Sequence, residues 1–377
     1  MEKVLLKKKG LTEVNKYNVV VLRSFDNEFE SKYTDLLYQA DIKHKVNLNS
    51  IWLKTYIKSY IANNELFIIC VNKGSKLIGC LPMFMDAVRA TRFWNHRTLK
   101  IIGNGPTDFF DIVSLKNTEN IVAQCIIKFL LTNNEWDKFE LTQISRNSHY
   151  LKLLEENLSN NRNLNYTIDF PNGYYFVNTS KKSWYDYERE FKEKNKDLAK
   201  SERRLIKDNI RLEIKTHRFE IYSKLLDNLN LYEERRRSLG QINTYETQER
   251  NAFLNNLISK WEKSDRVELN QLLDSEGNIW AFQLDWIDNK IRYHWNHAYN
   301  ESFKRYSPGK YLLKEIMKSS FSNADIDECN FMRGLSDYKS KLVDEKEMFS
   351  RIMVDNPKSI RLKATKMVSN FFKILRK

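Results

Sequence analysis

Residues 305–317 read RYSPGKYLLKEIM, and this stretch is the most informative about the fold of the chain's second half. Pro308 presets the φ angle of a first helical residue, and Gly309 lets a ligand come close to the backbone. The apolar residues that follow recur with helical spacing: Tyr311, Leu312, Leu313, Ile316 and Met317. The sequence therefore predicts a turn at residues 305–310 that opens a helix, whose free N–H groups can face an anion such as a pyrophosphate.

The turn alone is not specific, because Ser-Pro-Gly is also an ordinary helix start that needs no ligand. Its neighbours in the chain are more informative. Two strand-like runs, 279–287 and 291–298, precede it, and a third run at 329–332 follows the helix. The order is strand, strand, turn, helix, strand.

This order of motifs resembles the CelD-like, polysaccharide-associated acetyltransferases of the GNAT superfamily, which are relatives of the Fem-type peptidoglycan transferases. The shared motifs are, in chain order, Ser307-Pro308-Gly309, Leu312-Leu313, Phe331, Arg333-Gly334 and Tyr338-Lys339. The runs SIWLKTYIKSY (50–60) and LIGCLPMFM (77–85) resemble the same family's N-terminal half, so the likeness covers roughly residues 20–345. The usual phosphate loop, Arg/Gln-x-x-Gly-x-Gly/Ala, is matched loosely, because Arg305 lies one residue too far from Gly309 and Tyr311 replaces the second Gly/Ala.

The resemblance implies an acyl-CoA donor, most simply acetyl-CoA, and no metal. The donor pyrophosphate would lie against Arg305, Ser307, Pro308, Gly309, Lys310 and Tyr311. Lys339 would stabilise charge at the reacting centre, with Tyr338 as an acid. Arg333 and Arg236 would grip a phosphate or carboxylate of the acceptor. Trp52 would wall the acceptor site from the first domain, with a core role as the alternative.

A hairpin pattern occurs twice, about two hundred residues apart. Residues 66–71 and 77–84 flank one tight turn, and residues 267–273 and 279–284 flank the other. At 377 residues the chain is also too long for one ordinary core. We therefore expect an α/β protein with two tandem GNAT-like domains, each a mixed, mostly antiparallel sheet flanked by helices. The expected domains are residues 1–175 and 176–350, with a basic amphipathic tail at 351–377.

A helical section is expected between the two copies. Ser183 is a candidate N-cap, and a second helix should run over residues 219–239 and end on Arg235-Arg236-Arg237. The many cations of this section either form a solvated helix face or line a cleft for a phosphorylated acceptor.

The chain carries 63 Lys and Arg against 49 acids, a formal net charge of +14. This charge would steer CoA, sugar nucleotides or tRNA alike, so it does not choose among them. The segment 358–377 holds seven cations and no acid. It is expected either to lie on an anionic membrane surface or to pack on the second domain with its lysines in water.

Several classes of protein and site are disfavoured. The sequence has no apolar run long enough to span a membrane, and residues 1–10 lack the apolar core of a signal peptide, so we expect a cytoplasmic protein. The four cysteines are expected to be reduced core residues. His294 and His297 are three apart on a predicted strand and should point to opposite faces, which argues against a shared metal.

The resulting hypothesis is an N-acyltransferase that acylates an amino group of a sugar or amino acid destined for surface polysaccharide, with a small-molecule or sugar-nucleotide acceptor as its partner. Two alternatives stay open. One is a Fem-type transferase that uses aminoacyl-tRNA as donor. The other is a non-catalytic protein on a GNAT scaffold that binds nucleic acid or membrane through its charge.

Overall fold

The computed structural model describes residues 16–61, 65–90, 94–161, 164–238, 240, 247–264 and 266–375. The basic stretch 1–10 lies outside them. Backbone contacts divide the chain into two compact units, residues 1–171 with 348–377 and residues 172–347. The expected boundary near 175 lies close to this division, but the expected tail at 351–377 belongs to the first unit rather than standing apart.

In the first unit the strands are β1 (Tyr17–Leu22), β2 (Glu65–Lys73), β3 (Lys76–Arg89), β4 (Asn95–Ile101), β5 (Val113–Ser114) and β6 (Lys138–Ser145). Its helices are α1 (Asn27–Gln39), α2 (Ser50–Tyr60), α3 (Glu119–Thr132) and α4 (His149–Ser159). Neighbouring strands pair in the order β1, β2, β3, β4, β6, and only β4 and β6 are parallel. The short β5 pairs with β3.

The second unit takes strand β7 (Asn165–Asn178) from residue 172 onward and continues with β8 (Leu212–His217), β9 (Val267–Asp274), β10 (Ile279–Asp288), β11 (Ile291–Tyr299) and β12 (Glu328–Arg333). Its helices are α5 (Trp184–Lys194), α6 (Lys196–Lys207), α7 (Ile221–Ser238), α8 (Gln248–Trp261), α9 (Pro308–Phe321) and α10 (Asp337–Ser340). Two 3₁₀ helices cover Glu262–Ser264 and Glu301–Tyr306.

The strands of the two units pair in the same order. In the second unit β8, β9, β10 and β11 are successively antiparallel, β11 and β12 are parallel, and β12 pairs antiparallel with β7. In the first unit the corresponding last position is taken by β13 (Lys346–Asp355), which pairs antiparallel with β6. Each parallel pair is joined through a helix, α3 or α9, as a parallel connection requires. The predicted fold class, with a mixed and mostly antiparallel sheet in each unit, is confirmed.

The C-terminal helix, α11 (Ile360–Leu375), belongs to the first unit, and its first turns pack there. Ser359 donates a hydrogen bond to the Asp137 carboxylate, 2.6 Å away, and caps the helix by accepting from the Leu362 N–H. Thr365 Oγ1 lies 3.0 Å from the indole nitrogen of Trp94. These contacts, and the burial of Leu362, fix the first turns of the helix.

The helical section begins with two consecutive helices, α5 and α6. Ser183 caps α5 as predicted, by accepting from the Asp186 N–H. The helix stops at Asn195, whose side-chain amide donates to the carbonyl oxygens of Phe191 and Lys341, at 2.9 and 2.8 Å. A new helix, α6, begins at the next residue.

Candidate functional site

The Ser-Pro-Gly turn forms where the sequence places it, between β11 and α9. Ser307 adopts the left-handed conformation (φ 50°), and Pro308 is the first residue of α9. The backbone oxygen of Ser307 accepts the N–H groups of Lys310 and Tyr311, at 3.0 and 3.1 Å. Proline has no N–H, so Gly309 supplies the remaining backbone donor of the first turn.

The polar side chains of the turn already have partners on α6 and just after it. Lys310 forms an ion pair with Asp197 at 2.7 Å, Ser307 Oγ lies 3.0 Å from Ser201 Oγ, and Arg305 lies 3.4 Å from Asp208. Burial alone would raise the pKa of Asp197, but the hydrogen bond and charge of Lys310 outweigh it and lower that pKa. An anionic ligand at this turn would therefore compete with carboxylates for Lys310 and Arg305.

The φ angle at Gly309 is not in the left-handed region, so the backbone conformation does not require a glycine there. A Cβ placed on Gly309 would lie 3.4 Å from the Tyr299 ring, an ordinary contact distance. A small side chain therefore fits at position 309, whereas a branched one would extend further from the backbone.

The parallel strands β11 and β12 pair over only three residues each. Ile291, Arg292 and Tyr293 face Glu328, Cys329 and Asn330, and no further pair of these strands forms within the described residues. Beyond this point β11 continues against β10 up to Tyr299, while Arg333 of β12 pairs with Tyr174 of β7. The two strands thus diverge, and the helix that starts with the Ser-Pro-Gly turn follows β11.

Lys339 of the aromatic-Lys pair contacts the Arg-Gly step directly. Its ammonium donates to the backbone oxygens of Met332, at 3.0 Å, and Arg333, at 2.7 Å. Met332 and Gly334 both have positive φ angles, 58° and 119°. Lys339 therefore stabilises the unusual backbone conformation of residues 332–334 at the end of β12, which is a structural role in addition to any catalytic one.

A β-bulge in β11 changes which residues face the same side of the sheet. Asp285 of β10 pairs with His294, and Gln283 pairs with His297, with a register shift between Leu284 and Asp285. Because residues 283 and 285 are two apart on one strand, they share a face, and so do their partners. The expectation that His294 and His297 point to opposite faces is therefore wrong. No group of three or more metal-ligating side chains is nonetheless placed to hold a metal, as far as the described residues show.

His297 lies next to both residues of the aromatic-Lys pair. Its ring centroid is 5.7 Å from that of Tyr338, and the residue keeps part of its surface in water. Desolvation by neighbouring protein atoms, followed by the positive charges of Lys339, His294 and Arg236, lowers the pKa of His297. Burial raises the pKa of Tyr338, so its hydroxyl stays protonated. We call His297, Tyr338, Lys339 and Arg236 the His297 cluster.

A buried ionic network lies behind this cluster. Asp285 is fully buried and receives hydrogen bonds from His294 at 3.0 Å, Arg292 at 2.9 Å and Gln283 at 2.9 Å. Arg292 also pairs with Glu268 at 2.8 Å. Burial would lower the pKa of His294, but the carboxylate of Asp285 outweighs it and raises that pKa to about 9. His294 therefore carries a positive charge near neutral pH.

The structure thus brings some predicted site residues together and leaves others elsewhere. Arg236 belongs to the His297 cluster, with its Nε donating to the Tyr232 hydroxyl at 2.8 Å. Arg333 lies at the end of β12, and its backbone oxygen accepts a hydrogen bond from the Lys339 ammonium. Trp52 is fully buried in the first unit and donates to Thr107 Oγ1 at 3.0 Å, so it occupies the core and does not line an open acceptor site.

Sequence reasoning missed His297 and the network around Asp285. The sequence does hold a signal for the network, because Asp285 and Arg292 are charged residues within two strands rich in apolar and aromatic residues, and buried charges are normally paired. It holds no comparable signal for the bulge that turns His297 toward Tyr338.

No helix within the described part of the chain combines the length and apolar character needed to cross a bilayer.

Residues 192–340 match a family model described as an acetyltransferase (GNAT) domain. This segment contains the turn, the diverging strands and the His297 cluster. The match covers 149 of the 377 residues and is the same CelD-like family that the motifs resemble. Residues 192–340 are therefore similar to a GNAT acetyltransferase domain, which indicates an acyltransferase. No curated protein matches the chain by sequence.

Solved structures share the fold over most of the chain. The crystal structure of FemX superposes with a TM-score of 0.57 at 8% identity, covering 88% of this chain and 96% of FemX. A conserved protein of unknown function from Bacteroides thetaiotaomicron gives 0.52 at 11% identity, covering 90% and 100%. A tandem GNAT protein from the clavulanic acid biosynthesis pathway gives 0.46 at 9% identity, covering 89% and 98%. At these identities the likeness concerns the fold alone.

Proposed function

We propose that this protein is an N-acyltransferase that moves an acyl group, most simply acetyl, from acyl-CoA to an amino group of a sugar or amino acid used in surface polysaccharide. The observation that carries the proposal is the divergence of β11 and β12 directly beside the Ser-Pro-Gly turn and the His297 cluster, all inside the segment that matches the GNAT domain.

The diverging strands offer a place for the arm of CoA. Past Tyr293, β11 has β10 on one side only, within the described residues, so its backbone on the other side is available to a ligand. The pantetheine arm of CoA carries amide groups, which can pair with an exposed strand edge as an added strand does. Gly309 and the start of α9 would then face the pyrophosphate.

The chemistry is a direct transfer. The neutral amine attacks the thioester carbonyl, a C–N bond forms, the C–S bond breaks, and the amine proton is passed on while the thiolate leaves. Backbone N–H groups at the end of β11 would stabilise the oxyanion of the tetrahedral intermediate. Lys339 adds a positive charge at the same end of the sheet, and Tyr338 holds a proton that the leaving thiolate can receive.

The experiment is a transfer assay with acetyl-CoA and a panel of amino sugars, their nucleotide and phosphate esters, and amino acids. CoA release is followed colorimetrically and the acetylated product by mass spectrometry. We expect at least one amine to yield a product heavier by one acetyl group. If CoA is released only at the rate seen without any amine across the whole panel, while charged tRNA serves as donor, the acyl-CoA assignment is wrong.

A further inference from the structure

The charged side chains of α6 are sorted by sign around the helix axis. All the carboxylates of residues 196–208 are engaged by α9 or by the turn before it. The pairs are Asp197 with the Lys310 ammonium at 2.7 Å, Glu202 with the Lys314 ammonium at 2.7 Å, and Asp208 with the Tyr306 hydroxyl at 2.7 Å.

The cations of α6 occupy another side of the helix. Lys196, Lys200, Arg203 and Lys207 are exposed and have the spacing i, i+4, i+7, i+11, so they form one line along the helix. We call these four residues the α6 basic stripe. Within the described residues none of them forms an ion pair with a carboxylate. Their positive charge is therefore available to an anionic ligand.

The α6 basic stripe lies beside the Ser-Pro-Gly turn. Ser201 and Arg204 contact the turn through hydrogen bonds of 3.0 and 2.8 Å to polar atoms of residues 305–307. Lys200 and Arg203 each come one residue earlier, and successive residues of an α-helix are separated by about 100° around its axis. These two cations therefore lie on the exposed flank of the contact between α6 and the turn.

The cations of the turn itself are less available to a ligand. Lys310 and Arg305 are both paired with carboxylates, as described above. An anion at the turn therefore gains more from the unpaired cations of the α6 basic stripe, because their charge is not already neutralised. A ligand with a second anionic group close to its pyrophosphate could use both surfaces. CoA is such a ligand, since its ribose carries a phosphate monoester at the 3′ position as well as the pyrophosphate.

We propose that Lys200 and Arg203 bind the 3′-phosphate of the acyl-CoA donor while the Ser-Pro-Gly turn holds its pyrophosphate. This inference rests on the proposed N-acyltransferase function and specifies how the donor is recognised. A donor that lacks the 3′-phosphate loses the contacts to α6 and keeps those to the turn and to the edge of β11. Helix α6 is thereby a determinant of donor specificity.

The test compares CoA with 3′-dephospho-CoA by calorimetric titration of the whole chain at one ionic strength. We expect 3′-dephospho-CoA to bind roughly tenfold more weakly, because a phosphate held by two cations forms charge-assisted hydrogen bonds that water partly screens. Lys200→Gln with Arg203→Gln should weaken the binding of CoA by the same factor and leave that of 3′-dephospho-CoA unchanged. The ratio of the two affinities then falls to about one.

Arg189→Gln with Lys192→Gln is the matched control. It removes the same two charges from exposed positions of α5, where both cations pair with carboxylates of their own helix. The ratio should stay at its original value in this control, which separates local contacts from the effect of net charge. The inference is overturned, and the proposed function stands, if the unaltered protein binds CoA and 3′-dephospho-CoA equally, or if Lys200→Gln with Arg203→Gln weakens both ligands alike.

A titration of the same variants with tRNA examines the competing partner. If loss of Lys200 and Arg203 weakens the binding of tRNA but not that of CoA, the α6 basic stripe is a nucleic-acid surface and the inference is wrong. If neither CoA nor acetyl-CoA binds the unaltered protein, the proposed function fails and this inference fails with it.

Discussion

Replacing Lys339 with methionine tests whether the aromatic-Lys pair is structural, catalytic or both. Methionine keeps most of the length and apolar volume of lysine and removes the ammonium. The ammonium donates to two backbone oxygens, those of Met332 and Arg333, at 3.0 and 2.7 Å. Both oxygens lose a charged donor in Lys339→Met.

The expected size of the effect follows from these two hydrogen bonds. A hydrogen bond to a charged group contributes about 1.5–3 kcal/mol when buried. Lys339 is only partly buried, so water can replace part of what is lost. We therefore expect a loss of about 2 kcal/mol for both bonds together. For a unit of 176 residues this corresponds to a drop in Tm of roughly 4–8 °C.

The assay combines a thermal melt with CoA release, measured well below both melting temperatures. If the ammonium also stabilises the transition state, turnover falls by roughly a hundredfold or more at unchanged acetyl-CoA affinity. Lys318→Met is the control, because Lys318 is exposed on α9 and its loss should change stability by no more than about 0.5 kcal/mol. A Tm equal to that of the control would contradict the anchoring role, and normal turnover would contradict the catalytic one.

Three further predictions concern other parts of the chain. Gly309→Val should weaken acetyl-CoA binding about tenfold or more in calorimetry, whereas Gly309→Ala, which fits beside Tyr299, should bind nearly normally; equal affinities would remove the turn from the donor site. If residues 358–377 lie on an anionic membrane, Lys358→Glu with Lys363→Glu, both exposed, should abolish sedimentation with anionic vesicles at unchanged Tm, whereas full binding would exclude this segment as the membrane contact. Because the pKa of His294 is raised to about 9 in the folded protein, protonated His294 contributes to the free energy of unfolding. This contribution is complete below the ordinary histidine pKa of about 6.5 and is lost as the pH rises through about 9. Urea melts at a series of pH values should show the loss, and His294→Gln should make the free energy of unfolding less dependent on pH in this range.

The parts of the fold that depend on neighbouring residues were predictable from the sequence. The helix after the Ser-Pro-Gly turn begins at Pro308, as proline at a first helical position requires, and its apolar residues are buried. The strands on either side of residues 288–290 also form nearly as predicted, at Ile279–Asp288 and Ile291–Tyr299. Local patterns contain this information.

Pairings between distant residues were not predictable in this way. Strand β13 joins β6, about two hundred residues earlier in the chain, so the expected tail at 351–377 belongs to the first unit. No local pattern in residues 346–355 specifies that partner, because β propensity depends on the strands that a segment meets.

The candidate site was predictable only in part. Tyr338, Lys339 and Arg236 were named from the resemblance and from their charge, and the structure places them around His297. The bulge that brings His297 there breaks the period of two from which strand faces are read, so the sequence alone led to the wrong face. For Trp52 the sequence left a core role and a binding wall open, since a large aromatic residue fits both, and the structure buries it in the core.

The most direct test of the acyl-CoA assignment is a calorimetric titration of the purified chain with acetyl-CoA, charged tRNA and duplex DNA at two salt concentrations. The assignment predicts saturable one-to-one binding of acetyl-CoA that persists at the higher salt. Binding of tRNA or duplex should be weak and should fall steeply as salt rises, because it would come from the net charge of +14 alone. Tight, salt-resistant binding of charged tRNA with no heat from acetyl-CoA would contradict the account.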